Sequence, residues 1–473
     1  MNTLFTRSIA LVLGCSLSGC AMVAPELKPD VPVAASWNEA APSNGAAVSP
    51  TWWTSFGSAE LASLIDEALA GSPDLAIASE RVQQAEAQVR VAGASLFPAL
   101  TLGSGTSGSR TTGVGGAKGP RVDSSGSFTL TASYELDLWG RNKAGVRSAE
   151  SSAAAARFDL DTAQVTLVSG VATSYFEVLA LRARLAIARD NLATAQQVLD
   201  LVSARAKNGA ASALDVSRQQ ATVLSQQASI VPLEQQERQT LAALAVLVGR
   251  PPEGFGVKTN QIADVTVPAI DPGLPSDLLL RRPDLASAEA QLAAANADVA
   301  AARAAMLPTI TLTGTAGLAT SALTSLATGG ATAAIGIAAS VLQPIFDGGR
   351  LRGQKVIAES RERELLDTYE KAILSAFQDV EQALAGTSRL GQQVSLQTDA
   401  QAKAQESLRL AEIRYRAGAD DLLTVLDAQR TLFIAQDQLA QVELNRLQAA
   451  VSLFKALGGG WTAASAAAPV RAA

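Results

Sequence analysis

Few side chains in this sequence have a type and setting suited to chemistry. Two are the thiols of Cys15 and Cys20, the only cysteines among 473 residues. Two more are the adjacent carboxylates of Asp420 and Asp421, which follow a glycine between long stretches of periodic apolar residues. A glycine-rich run from Gly113 to Lys118 would cradle a phosphate if it were a Walker loop. Its spacing is wrong, and Gly119 stands where Ser or Thr is needed. There is no histidine. That removes an imidazole base, a Ser-His-Asp triad and any His-ligated metal. No set of nucleophile, base and orienting group can be assembled, so the chain reads as a non-enzyme without cofactor or metal.

Both thiols belong to one N-terminal segment. Arg7 supplies a positive start and Ile9 to Leu17 a short apolar core. That core is too short to cross a bilayer as a helix. Residues 1–19 therefore read as a secretory signal, and no disulfide can form in the body. The signal ends Leu17-Ser18-Gly19-Cys20, which resembles the bacterial lipobox. The resemblance makes Cys20 the lipid-attachment residue, bearing palmitate-type chains, and the first residue of the mature protein. Ordinary cleavage nearby is the alternative. Cys15 also follows a glycine, but its apolar core would be shorter. Ala21 after the cysteine, in place of Asp, points by the same resemblance to the outer membrane.

The elements that must carry such a tethered, non-catalytic chain are long helices. Hydrophobic residues make up 48% of the sequence but aromatic ones only 4%. Most are Ala and Leu, which suits closely packed helices. The net charge of −6 comes without a basic cluster, which argues against nucleic acid as a partner.

The chain is written twice. Phe97-Pro98-Ala99-Leu100-Thr101-Leu102 recurs as Leu307-Pro308-Thr309-Ile310-Thr311-Leu312, and Pro73-Asp74-Leu75 as Pro283-Asp284-Leu285. Trp139-Gly140-Arg141 recurs as Gly348-Gly349-Arg350, and Ala206 to Ala210 as Tyr415 to Ala419. The period is too long for a solenoid unit and fits a duplicated half. The expected organisation is a signal (1–19), a lipidated N-terminal segment (20–60), repeat 1 (61–249, strands within 97–140), a linker (250–275), repeat 2 (276–458, strands within 307–347) and a tail (459–473).

Each repeat reads helix, strand, glycine-rich loop, strand, very long helix, tight turn, helix. Ser127 to Leu138 alternates strictly, with Phe128, Leu130, Ala132, Tyr134, Leu136 and Leu138 on one face and Thr129, Thr131, Ser133, Glu135 and Asp137 on the other. That suits an apolar-out, polar-in membrane strand and equally a half-buried strand of a soluble sheet. Ala333 to Val341 is the counterpart, and Leu100–Gly103 and Ile310–Gly314 are weaker partners. Gly103–Gly126 and Gly314–Thr332 read as surface loops. Four strands cannot close a spanning barrel, about eight being the smallest. Open strand edges are not tolerated in lipid. Strands that span would therefore have to be pooled between chains, and three chains would give twelve.

The stretch from Arg141 to Asn208 contains no proline. About 66 residues at ~1.5 Å each reach ~100 Å. Within it Val178, Leu181, Leu185, Ala188, Leu192, Ala195, Leu199 and Val202 follow 3-4 spacing, a heptad seam. The second copy, from Val380 to Tyr415, is more polar and is expected to meet water along more of its length. Both helices turn at a glycine, Gly209 or Gly418, into an antiparallel return helix. Ser212 with Asp215 has the form of a capping box, and Asp421 stands in the place of Ser212. Pro232 is expected to kink or break the first return helix.

Several of these motifs, in order, carry a family resemblance: Trp52 to Phe56 (WWTSF), Tyr134 to Arg141 (YELDLWGR), Leu280 to Leu285 (LRRPDL), Phe346 to Arg350 (FDGGR), Arg414 to Gly418 (RYRAG), Leu426 to Arg430 (LDAQR) and Leu457 to Trp461 (LGGGW). From Pro50 to Trp461 the chain resembles the outer-membrane factors, the TolC-like proteins, and especially their NodT-like lipoprotein efflux branch. The resemblance implies a mainly α fold with a membrane β-barrel portion. It implies a homotrimer of twelve strands and twelve helical stretches, in the outer membrane with a large periplasmic part. It implies a periplasmic membrane-fusion adaptor and an inner-membrane pump of the resistance-nodulation-division class as partners. The function implied is a passive exit duct for drugs or other small toxic compounds, gated at the helical tips. A type I protein-secretion duct and a coiled-coil lipoprotein without a pore are the alternatives.

By the same resemblance the control residues lie at the tips. Asp420 and Asp421 are placed at a pore constriction, where a threefold ring of carboxylates would attract cations. Plain helix capping is the other reading, and for Asp421 the preferred one. Arg205, Gly209, Arg414 and Gly418 are placed at the adaptor contact. The other reading there is a left-handed turn with arginines complementing the helix C-terminus.

Overall fold

The computed structural model describes residues 27, 29–39, 45–111, 121–259, 262, 265–320 and 331–462. Cys15, Cys20, the rest of the signal segment, the Gly113–Lys118 run and the tail beyond residue 462 lie outside the described residues. The elements are α1 (Ala59–Gly71), α2 (Pro73–Ala94), β1 (Ala99–Thr111), β2 (Arg121–Leu136), α3 (Arg141–Lys207), α4 (Ala213–Val248), α5 (Pro283–Ala304), β3 (Thr309–Thr320), β4 (Thr332–Leu342), α6 (Arg350–Arg416) and α7 (Leu422–Ala456). Short 3-10 turns lie at Trp52–Phe56 and Pro275–Leu280. The order helix, strand, strand, long helix, return helix occurs once in each half. The two long helices are each 67 residues. Contacts divide the chain into two compact units, each drawn from both halves: residues 1–30, 81–156 and 287–370, and residues 31–80, 157–286 and 371–473.

The first unit holds an antiparallel sheet in the order β1-β2-β3-β4. Its register decides what alternation alone left open. Leu102 stands opposite Leu130, Leu130 opposite Ala316, and Ala316 opposite Ile335. Phe128, Leu318 and Ala333 make a second such row, and Leu136, Ile310 and Val341 a third. Because pleating alternates faces, these rows lie on one side of the sheet. Rows such as Thr101, Thr131, Thr315 and Gly336 lie on the other. The apolar side is uncovered: Ile335 and Ile337 are 85% and 89% exposed. An apolar face of this extent marks a surface meant for lipid or a partner.

The strands are longer than their apolar pattern suggests, and the described residues of the segments read as loops are largely strand. β1 continues to Thr111 and β3 to Thr320. The ladder is made by backbone groups, and small Ser, Thr and Gly side chains fit the pleat without showing a hydrophobic period. Ser107 and Ser125 meet across it at 2.7 Å. At its other end β2 stops at Leu136, short of the expected Leu138. The Asp137 carboxylate leaves the ladder and accepts from the N–H groups of Asn142 and Lys143 at 3.0 and 2.8 Å, capping α3.

In the second unit the core contains a cluster of rings. Trp52 stacks on Phe454 at 4.7 Å, and Phe56 packs against Phe176 at 5.0 Å. After α7 the chain passes through Gly458, Gly459 and Gly460, all with positive φ. A Cβ on Gly458 would stand 1.8 Å from the Arg281 carbonyl oxygen, and one on Gly460 2.4 Å from that of Ser49. Only glycine fits where these backbones cross. Trp461 then donates from Nε1 to Asp161 on α3 at 2.8 Å.

The α3 seam slips toward its end. Asn191 and Val198 are buried, while Leu192 and Leu199 are only partly so. A straight helix repeats every ~3.6 residues and drifts away from a strict 3.5 pattern. On α6 the middle of the seam, Thr387 to Gln401, is half-exposed, as its polarity suggests. The helix α4 runs unbroken through Pro232, so a break is ruled out. One missing hydrogen bond is absorbed within its 36 residues.

Candidate functional site

The second unit places both tight turns, α3–α4 and α6–α7, and their chemistry follows from how the long helices end. In α3 the Ala210 N–H bonds the Arg205 carbonyl at 2.8 Å, and the Gly209 N–H bonds that of Ala206 at 3.0 Å. In α6 Ala419 bonds Arg414 at 2.9 Å, and Gly418 bonds Tyr415 at 3.0 Å. Both are Schellman motifs, which need a left-handed residue after the helix. Gly209 and Gly418 supply it, each with φ 75°. A Cβ at either glycine would meet nothing within 4 Å, so both turns are open on their outer side.

The return helices are capped from the same turns. Ser212 and Asp215 form a capping box: the Asp215 N–H donates to the Ser212 hydroxyl oxygen at 3.2 Å, and the Ser212 N–H donates to the Asp215 carboxylate at 2.9 Å. Donation from Ser212 holds the Asp215 carboxyl below the ordinary aspartate value. Asp421 caps α7, accepting from the Thr424 N–H at 3.1 Å and the Thr424 hydroxyl at 3.0 Å. Its carboxylate is thus committed to the helix end.

Asp420 is engaged differently. Arg414 forks onto it, Nε to Oδ2 at 2.6 Å and Nη2 to Oδ1 at 3.1 Å. This bidentate pair closes the turn around Gly418. The Arg414 guanidinium holds the Asp420 carboxyl below its ordinary value, and Asp420 in turn raises Arg414. Asp420 therefore presents a compensated charge.

Arg205, the counterpart of Arg414 in the first half, does not turn back on its own hairpin. Its guanidinium carbon sits 4.5 Å from the centre of the Tyr415 ring, and its Nη1 donates to the Tyr415 carbonyl oxygen. Its Nε is buried with no partner among the described residues. Burial pushes the Tyr415 phenol up. The two arginines that look equivalent in sequence thus do different work, one tying hairpin to hairpin and the other closing its own turn. Tyr415 reads in the sequence as a seam position within the RYRAG motif. Its role as the receiver of Arg205, 210 residues away, has no local signal.

Behind the turns one apolar cluster joins three helices: Val198 and Val202 of α3, Leu408, Ala411 and Tyr415 of α6, and Leu422, Val425 and Leu432 of α7. Two glutamines interrupt the apolar packing at the tips. Gln219 is fully buried and donates to the Ala195 carbonyl at 2.7 Å. Gln429 is fully buried, and neither its amide nitrogen nor its amide oxygen has a partner among the described residues.

Residues 64–250 and 274–459 match the family model for outer membrane efflux proteins. The matched segments fall one in each half of the chain. Over 470 residues the chain is 42% identical to the pyoverdine export outer membrane protein OpmQ of Pseudomonas aeruginosa, covering 96% of this chain and 97% of that one. It is 34% identical over 481 residues to the toluene efflux pump outer membrane protein TtgF of Pseudomonas putida, with 96% and 97% covered. Among solved structures it matches the outer-membrane channel OprN with a TM-score of 0.85 at 27% identity, covering 93% of this chain and 99% of that chain.

Proposed function

The chain belongs to the outer membrane efflux protein family, and we propose that it serves as the passive exit duct of a tripartite pump, gated at its hairpin tips. The observation that carries this reading is the sheet. One face is mostly apolar, the other is mostly hydroxyl-bearing or small, and the edges of β1 and β4 have no strand partner among the described residues of the single chain. In lipid such edges must be paired. Three copies pool twelve strands, above the minimum of about eight for a closed barrel. The apolar face then meets lipid and the polar face lines the passage.

On this reading the tips control the duct. Arg205 on Tyr415 holds the hairpins of one copy together. Asp420, paired with Arg414, lies at the constriction, and Asp421 stands behind it as a cap. A periplasmic adaptor docks on the open turns at Gly209 and Gly418, flanked by Arg205 and Arg414. An inner-membrane pump of the resistance-nodulation-division class supplies the energy. Cys20 carries the lipid that tethers the chain to the membrane. The cargo is a small secreted compound. The higher identity to a pyoverdine exporter than to a toluene pump component supports a polar, siderophore-like compound over a solvent.

The test is a deletion strain complemented with the gene on a plasmid. Loss of the siderophore from the medium and its build-up in the periplasm, both restored by the plasmid, is the expected result. Sensitivity to apolar solvents alone would reverse the cargo reading. Unchanged export of both classes would overturn the duct. Mass spectrometry of the mature N-terminus checks the lipid on Cys20.

A further inference from the structure

Toward α3, from Ser125 to Glu135 of β2 and the positions paired with them, the polar face of the sheet carries a single charge. Glu135 stands opposite Thr311, and Thr311 opposite Ser340. Apart from the terminal Leu342, the other positions of that stretch and those paired with it are Ala, Gly, Ser or Thr; the register places Asp123 and Arg121 on the same face farther along β2, away from α3. Glu135 lies at the end of β2 that leads into α3, where Arg141 opens the helix. Arg141 Nη2 donates to Glu135 Oε2 at 2.6 Å, and both side chains keep some exposure, 38% and 25%. The neighbouring carboxylates have other tasks. Asp137 caps α3, and Asp347 accepts from the Leu351 and Gly349 N–H groups at 3.0 Å each.

A lone carboxylate on the neutral helix-side stretch of the wall would become, in a threefold barrel, a ring of three like charges around a water-filled passage. Such rings select ions by sign. Here each carboxylate has its counter-ion built in, six residues along the chain. We propose that Glu135 and Arg141 form a charge-compensated collar at the helix-side mouth of the barrel, and that this compensation keeps the duct indifferent to the sign of its cargo's charge. The pair makes one outlet usable by anionic and cationic compounds alike. Loss of either member converts the collar into a filter. The proposal rests on the trimeric-barrel reading above.

A cysteine reporter on the same face tests both separately. Ser133→Cys lies two residues from Glu135, and the rest of the chain beyond Cys20 has no cysteine. Whole cells are treated from outside with a cationic (trimethylammonium) and an anionic (sulfonate) methanethiosulfonate, so that the reagents reach the collar without passing the tips. The readout is the ratio of the two labelling rates. Arg141→Gln is expected to raise the cation-to-anion ratio about tenfold, and Glu135→Gln to lower it about tenfold. The double variant should return to within about twofold of the parent. Singles that move the ratio by less than about twofold, or in the same direction, overturn the collar. A reporter reached by neither reagent in the parent overturns the lumen-facing reading instead. Should Arg141→Gln fail to assemble, the swapped pair Glu135→Arg with Arg141→Glu carries the test. It should restore the parent ratio, and a ratio displaced as far as in the Glu135→Gln single would overturn the collar.

Discussion

The guanidinium of Arg205 lies over the ring of Tyr415, 4.5 Å from its centre, and donates to the carbonyl oxygen of the same residue. The last turn of α3 thereby grips the last turn of α6. The ring contact is worth about 0.5–2 kcal/mol, depending on how far it is desolvated. Tyr415→Phe keeps both the ring and the backbone acceptor and should leave the channel's resting leak unchanged. Tyr415→Leu and Arg205→Ala should each raise the leak by about two- to thirtyfold. Single-channel recording in planar bilayers reads this. Equal leak in all three variants would show that the contact does not hold the tip.

The Arg414–Asp420 pair predicts a pH dependence with a definite sign. Aspartate ordinarily titrates at 3.8, and Arg414 holds Asp420 below that. A carboxylate depressed in the folded state contributes stability above its unfolded value and loses it as pH falls through the folded one. The turn should therefore hold between about pH 7 and about pH 5 and loosen only below the ordinary value. The same recordings should show constant leak over that range and a rise under stronger acid. Asp420→Ala should show the raised leak at every pH and weaker block by added cations. A leak rising already near pH 5 in the parent would assign the effect to another group.

Gly418 separates folding from docking. Its φ of 75° penalises any side chain, but a Cβ there meets nothing within 4 Å. Gly418→Leu should cost only about 1–2 kcal/mol and leave trimers intact. It should abolish crosslinking to the adaptor, because the new side chain fills the outer side of the turn. Normal crosslinking would remove Gly418 from the docking surface.

Gln429 is a polar side chain inside apolar packing with no partner among the described residues. Burying an amide without partners costs about 1–3 kcal/mol. Gln429→Leu should raise the apparent melting temperature of the detergent-purified protein. Gln219→Leu should gain less, since it sacrifices the bond to the Ala195 carbonyl. A lowered melting temperature for Gln429→Leu would mean the amide is satisfied in solution.

Much of the tip was readable from residues close together along the chain. Turn glycines, the Ser212–Asp215 box and the Asp421 cap are local devices, and each bond spans a few residues. Strand length was underread because Ser, Thr and Gly carry no apolar period, although their backbones pair as well as any. Of the kink or break expected at Pro232 the break does not occur, because one lost hydrogen bond is a local penalty within a 36-residue helix.

By itself the sequence determined a duplicated, long-helical chain without an imidazole, whose hairpins turn at Gly209 and Gly418. Only the tertiary structure decided that the apolar rows of four strands share one side, that Arg205 reaches Tyr415 while Arg414 stays with Asp420, and that Glu135 on the polar face meets Arg141. The reason is physical. Periodicity and capping are interactions of near neighbours, whereas register and the choice between two chemically equal arginines depend on groups some two hundred residues away.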